Sequence, residues 1–197
     1  FALCKNLSLP QMRADGYNQV KREEEGFPEN NEKKEREKTM EKMLLNENWK
    51  LRDASETEWI PGTVPGSVYQ DYLNAGKMED PYWRANEEQA LELMKRDFEY
   101  RTVFDVSGDM LAHDEVILHF DGIDTVADIC LNGQTLGHVD NMHRTWEYRV
   151  KELLKKEGNE LSVRITSPVN YIYDLYEKDP LIVGSSDAMR GCSYLRK

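Results

Sequence analysis

Asn132-Gly133 marks a two-residue hairpin turn, because both turn residues need positive φ and this dipeptide meets the need at least cost. Before it, Val126 to Leu131 alternates, with Ala127, Ile129 and Leu131 on one face and Val126, Asp128 and Cys130 on the other. A strand with one buried face has that period of two. Gln134 to Val139 is predicted to return antiparallel, with Gly137 as a candidate bulge. The hairpin should lie in the middle of an antiparallel sheet.

The flanking segments carry the same period. Trp49 to Asp53 reads as a first strand, and Phe98 to Val106 and Glu115 to Asp121 both alternate. Trp146, Tyr148 and Val150 share a face, as do Leu161, Val163 and Ile165. Prolines and glycines between Trp59 and Val68 forbid regular structure and fix an irregular crossing. Ser67 is placed to cap a short helix carrying Val68, Tyr72 and Leu73, and Gly108 to His113 reads as a turn. Lys151 to Lys156 should make a short helical turn. Ser167-Pro168 opens a helix that should bury Tyr171, Ile172 and Leu175. Short antiparallel strands with turns between them predict an all-β, two-sheet sandwich with a few short helices.

The charged residues concentrate upstream. Lys21 to Lys42 has almost no large apolar side chain and is broken by Gly26 and Pro28. Residues 1–43 are therefore expected to be a charged tail, linker or upstream translated sequence. Its one candidate for order is a solvated helix from Glu32 to Lys42 capped by Asn31, and Met40 and Met43 are candidate initiators. The sandwich should occupy residues 44–197. A net charge of −11 argues against nucleic acid and anionic membrane as partners, and leaves neutral sugars untouched. Cys4, Cys130 and Cys192 form neither a metal set nor a disulfide framework. With no signal-peptide pattern and no long apolar run, a cytoplasmic location is expected.

The run F-x-G-I-D-T-x-A-x-I-x-L-N-G-x-x-L-G from Phe120, followed by N-M-H-R-T-W-E-Y from Asn141, resembles the N-terminal sugar-binding domain of family 2 glycoside hydrolases. Within that family it is most similar to β-mannosidases, as are W-x-P-x-x-V-P-G-x-V from Trp59 and G-x-x-x-D-P-Y from Gly76. The resemblance implies a galactose-binding-like jelly roll from about Leu44 to Lys197. Many relatives carry His where this chain has Tyr69, so no role of that His is carried over. The loop Asp80 to Glu88 in related enzymes turns toward the catalytic domain, which implies that Asn86 and Glu87 lie near substrate. A Trp-Asp-Trp-Gly-Pro motif would follow a segment like Cys192 to Lys197, so Arg196 and Lys197 would approach the same region.

No reactive pair is legible in the chain itself. Retaining hydrolysis needs two carboxyl groups about 5–5.5 Å apart, one protonated. Asp121 and Asp124 read as ordinary backbone-bonding residues of a connection. His143 reads as structural, and the four histidines make no zinc pattern. No catalytic residue, metal ligand or cofactor is assigned. The resemblance implies that the catalytic glutamates lie on a downstream TIM barrel. The expected role is thus a non-catalytic module of a retaining β-mannosidase acting on β-mannoside oligosaccharides. Two alternatives stand beside it. One is a freestanding carbohydrate-binding module, with Tyr82, Trp83 and Trp146 as an exposed platform. The other is the sandwich domain of a β-galactosidase or β-glucuronidase.

Overall fold

The hairpin forms at the residues the sequence marks, but it lies at the edge of its sheet and not in the middle, its second strand being the outermost one. In a computed structural model describing residues 6–7, 10–18 and 37–179, Asn132 and Gly133 take φ of 52° and 82°. Leu131 pairs with Gln134 across the turn, and the register slips between Thr135 and Gly137.

Three strands precede the part of the chain expected to be folded or begin it: β1 (Asn6–Leu7), β2 (Pro10–Asn18) and β3 (Glu37–Leu44). Then come β4 (Lys50–Asp53), β5 (Ile60–Pro61), β6 (Gly66–Ser67), helix α1 (Val68–Asn74) and helix α2 (Asn86–Leu93). After β7 (Phe98–Phe104), a short helix α3 (Gly108–Ala112) leads into β8 (Glu115–Phe120). The hairpin strands are β9 (Ala127–Leu131) and β10 (Gln134–Val139), followed by β11 (Trp146–Arg149). A 3-10 turn (Lys151–Leu153), β12 (Asn159–Ile165) and helix α4 (Pro168–Lys178) complete the described chain.

The strands form a six-stranded sheet ordered β10-β9-β12-β7-β4-β5 and a four-stranded sheet ordered β11-β8-β2-β3, with β1 and β6 paired separately. The pairings are antiparallel. Register aligns apolar residues into rows on one face of the larger sheet: Leu51, Tyr100, Val163 and Ile129 form one row. All four are fully or almost fully buried, as are Val116, Leu118 and Phe120 of β8. Each such side chain contributes about 1.5–3 kcal/mol on burial. The next row of the larger sheet, one residue along each strand, reads Arg52, Glu99, Arg164, Asp128 and His138. From Arg52 to Asp128 the charges alternate in sign, so neighbours across the strands attract, and this face is a solvated one.

Gly137 sits on the inner face opposite Ile129, and a Cβ there would stand 3.0 Å from the Tyr148 ring of the other sheet. Close approach between sheets is why glycine occupies this position.

The N-terminal segment departs from expectation. Its described part is strand, not helix: Glu37–Leu44 pairs with Pro10–Asn18, which pairs in turn with β8. Met12 and Ala14 are fully buried. Two small apolar faces at alternate positions are enough to seat a strand when both of its edges find partners. Residues before 44 therefore build half of the four-stranded sheet, and they are not only a tail. Residues 19–36, including Asn31 and the start of the expected helix, lie outside the described residues.

Two smaller differences concern helices. Residues read as a turn form α3, whose N-cap Ser107 accepts from Met110 N at 3.0 Å. In α4, Ile172 is buried while Tyr171 and Leu175 are half-buried.

Candidate functional site

The loop between α1 and α2 carries the most exposed large aromatics of the described chain. Tyr82 is 94% and Trp83 63% exposed. The loop braces itself. Asp80 Oδ1 accepts from Tyr82 N at 2.9 Å, and the Asp80 carbonyl accepts from Trp83 N at 3.1 Å and Asn86 Nδ2 at 3.0 Å. Asn86 N donates to the Trp83 carbonyl at 3.2 Å. Arg84 takes a positive φ of 54° and sets its guanidinium 5.6 Å from the centre of the Trp83 ring. Tyr82 and Trp83 are thus held out by a turn that spends its polar groups internally.

Of the residues expected near substrate, Asn86 is half-buried as the first residue of α2, and its side chain ties the helix to the loop. Glu87 and Glu88 are exposed beside it in the first turn, where carboxylates suit the positive end of the helix dipole. Arg196 and Lys197 lie outside the described residues. Tyr69 has a structural task, its hydroxyl donating to the Ala90 carbonyl at 2.9 Å and so joining α1 to α2.

Trp146 does not join Tyr82 and Trp83 as an open platform. It is half-buried against the core, its Nε1 donates to the Asn141 carbonyl at 3.2 Å, and Arg144 lies 4.6 Å over the ring. The backbone N–H of His143 donates to Asn141 Oδ1 at 2.9 Å, and this residue is exposed. Asp121 accepts from His119 Nε2 at 3.0 Å, and Asp124 Oδ1 accepts from the Thr125 hydroxyl. Both aspartates serve local bonds, as their place on a connection suggests.

Two buried carboxylates were not legible in the sequence. Asp71 of α1 is 1% exposed and accepts from the Tyr100 hydroxyl at 2.9 Å. Burial raises its pKa above the ordinary value, against the lowering effect of hydrogen bonds from Thr63 and Tyr100. Asp53, 2% exposed, goes the other way. Burial alone would raise it, but bonds from the Ser55 hydroxyl and amide, with Arg96 beside them, bring it below the ordinary value. An Asp with Ser two residues on is a known local turn pattern, and that was the available signal for Asp53. Asp71 is closed to any substrate.

Asp53 also borders an open polar cleft of about 600 Å³, lined among others by Ser55, Arg96, Asp97, Arg164 and Asn170. Its charges are matched: Arg96 with Asp53 at 3.2 Å and Arg164 with Asp97 at 3.3 Å. Asp97 Oδ1 also accepts from Ser167 N at 2.8 Å, so the cleft anchors the start of α4. Among the described residues, no group of three or more His, Cys, Asp or Glu is placed to hold a metal ion.

Two facing antiparallel sheets joined through an irregular proline-rich crossing define a β-sandwich domain. Residues 49–197 match the family described as glycosyl hydrolase 2 galactose-binding domain-like, and the chain belongs to that family. It is 35% identical over 129 residues to a β-mannosidase of Bos taurus, covering 66% of this chain and 15% of that protein. It is 32% identical over 139 residues to β-mannosidase B of Thermothelomyces thermophilus, covering 69% of this chain and 16% of that one. The crystal structure of β-D-mannosidase from Dictyoglomus thermophilum superposes with a TM-score of 0.73 at 33% identity. That superposition covers 78% of this chain and 19% of that one. The chain thus spans less than a fifth of the length of these relatives.

Proposed function

We propose that this chain is the N-terminal, non-catalytic sandwich domain of a β-mannosidase-type glycoside hydrolase. The whole enzyme would release terminal, non-reducing β-D-mannose with retention, through two carboxyl groups on a downstream barrel. The domain's share is to seat that barrel and wall the glycan pocket. The residues proposed to lie near the glycan are Asn86, Glu87, Arg196 and Lys197. Tyr82 and Trp83 form the contact that inserts between the two domains.

The observation that carries this reading is the exposure of Tyr82 and Trp83 on a self-braced loop, in a chain similar to β-mannosidases over a small share of their length. Large aromatics held rigidly in solvent are the usual anchors of an interface. The test uses the polypeptide extended through its barrel, assayed with an aryl β-mannoside. Glu87→Gln should raise KM at least threefold with little change in thermal stability. Unchanged KM and kcat would remove Glu87 from the glycan wall. Titration of residues 1–197 with manno-oligosaccharides separates this reading from a freestanding binding module, which requires saturable binding at millimolar sugar or below.

A further inference from the structure

Segments distant in sequence wall the polar cleft beside Asp53: the turn after β4, the chain leaving α2 and the start of α4, with Arg164 of β12 among them. Hydrogen bonds tie these walls together. Ala54 N donates to the Asp97 carbonyl at 2.9 Å, and the Ser167 hydroxyl donates to the Met94 carbonyl at 2.6 Å. Asn170 Nδ2 donates to the Lys95 carbonyl at 2.8 Å. The cleft is therefore a fixed feature of the fold, and its volume of about 600 Å³ falls in the range of small-molecule sites.

Its charges are arranged asymmetrically. Lys95, Arg96 and Arg164 line it against Asp53 and Asp97, an excess of one positive charge in a chain whose net charge is −11. Both carboxylates are spent inward. Asp53 Oδ1 accepts from Ser55 N at 2.8 Å and from the Ser55 hydroxyl at 2.6 Å, while its Oδ2 accepts from Arg96. Asp97 Oδ1 accepts from Ser167 N, and its Oδ2 accepts from Arg164. Each carboxylate thus orients one guanidinium.

The neighbouring acids are also taken. Glu99 and Asp128 flank Arg164 on the sheet, and they are engaged by Arg52 at 2.9 Å and His138 at 2.8 Å. Glu56 lies 3.8 Å from Arg96. Lys95 meets Glu92 at 2.6 Å, but both are more than half exposed, and such a pair gives way readily to a competing anion. The Arg164 side chain is 59% exposed, and among the described residues only its Nη2 is engaged. What the cleft presents outward is cationic donors.

A guanidinium fork matches the paired oxygens of a carboxylate or phosphate, and charge-assisted bonds of this kind are the strong ones. Among the described residues no aromatic or large apolar side chain lines the cleft, so the body of its ligand is hydroxylated. Asn170 Oδ1, which accepts no hydrogen bond among the described residues, is placed to take one from a hydroxyl. We propose that this cleft binds a hydroxylated small molecule carrying one oxyanion, a sugar phosphate or a sugar acid. Arg164 and Lys95 hold the oxyanion, and Asn170 holds a hydroxyl. The cleft lies at the C-terminal end of α2, whereas the Tyr82–Trp83 loop lies at the N-terminal end.

The test titrates residues 1–197 with glucose 6-phosphate, gluconate and glucose at constant ionic strength, read by calorimetry. At least one of the two anions should bind saturably at millimolar concentration or below, with glucose at least tenfold weaker. Whichever anion binds identifies the oxyanion as phosphate or carboxylate. Arg164→Gln should weaken that binding at least tenfold, and Arg164→Lys, which keeps the charge and loses the fork, should recover only part of it. Lys95→Gln, at an exposed position, is a second variant that leaves the fold intact and should weaken binding at least threefold. The proposal is overturned if neither anion binds saturably, if glucose binds as tightly as they do, or if Arg164→Gln and Lys95→Gln both keep the parent's affinity.

Discussion

The side-chain amide of Asn132, at the hairpin tip, donates to Oδ1 of Asn159 on the neighbouring strand at 3.0 Å. The same amide reaches the Leu153 carbonyl at 2.7 Å, and Asn132 Oδ1 accepts from Glu160 N at 2.9 Å. Asn159, fully buried, accepts from Lys155 N at 2.8 Å and donates to the Lys155 carbonyl at 2.6 Å. One asparagine thus supplies the left-handed turn conformation, and its partner ties the turn to the connection from β11.

Asn132→Ala should therefore cost more than an ordinary turn substitution. The positive φ costs a non-glycine residue about 1–2 kcal/mol, and each lost hydrogen bond about 0.5–1.5 kcal/mol. A loss of about 2–4 kcal/mol in urea unfolding is expected. Asn132→Gly should recover the backbone part alone, and a difference near zero between the two variants would contradict the strain account.

Gly137→Ala should destabilise by about 1–3 kcal/mol, because its Cβ meets the Tyr148 ring at 3.0 Å. Tyr148→Leu in the same chain should recover part of that loss. Thermal unfolding of the two single variants and the double variant measures the coupling, and strict additivity would show that the two residues do not touch.

The two buried aspartates give pH dependences of opposite sign. Asp53 has a lowered pKa in the folded chain, so its contribution is present above the unfolded value and is lost as pH falls through the folded one. Asp71 has a raised pKa, so the folded chain binds its proton more readily and stability gains as pH falls through the folded value. Asp53→Asn should flatten the acid limb of a stability–pH curve, and Asp71→Asn should steepen it. Identical acid limbs for both variants would sink this assignment.

Trp83→Ala should leave the unfolding midpoint of residues 1–197 within about 0.5 kcal/mol of the parent, since the ring is solvent-exposed. In the extended enzyme the same change should lower thermal stability or activity if the ring anchors the proposed interface. Equal, small effects in both contexts would leave the loop without a docking role.

Elements specified by neighbouring residues were legible in the sequence. Asn132-Gly133 carries its turn in two residues, and Ser167-Pro168 carries its helix start in two more. Strand β2 was not legible, because its pattern rests on Met12 and Ala14 alone and its partner β8 lies about a hundred residues away. Asp71 was missed for the same reason, since Tyr100, 29 residues on, gives it meaning only after β7 has packed against α1. At the loop, the residue mixture at Asp80 to Glu88 was visible, but the exposure of Tyr82 depends on the internal bonds of Asp80. Asn86 was read as lying near substrate, and what the structure adds is the bond from its amide to the Asp80 carbonyl, which the sequence did not show.

The most direct measurement compares turnover of an aryl β-mannoside by residues 1–197 and by the polypeptide extended through its barrel, at equal molar concentration. The extended protein should hydrolyse the substrate with retention of configuration, and residues 1–197 should give no rate above buffer. Turnover by residues 1–197 alone, abolished by changing a carboxylate within them, would contradict the division of roles.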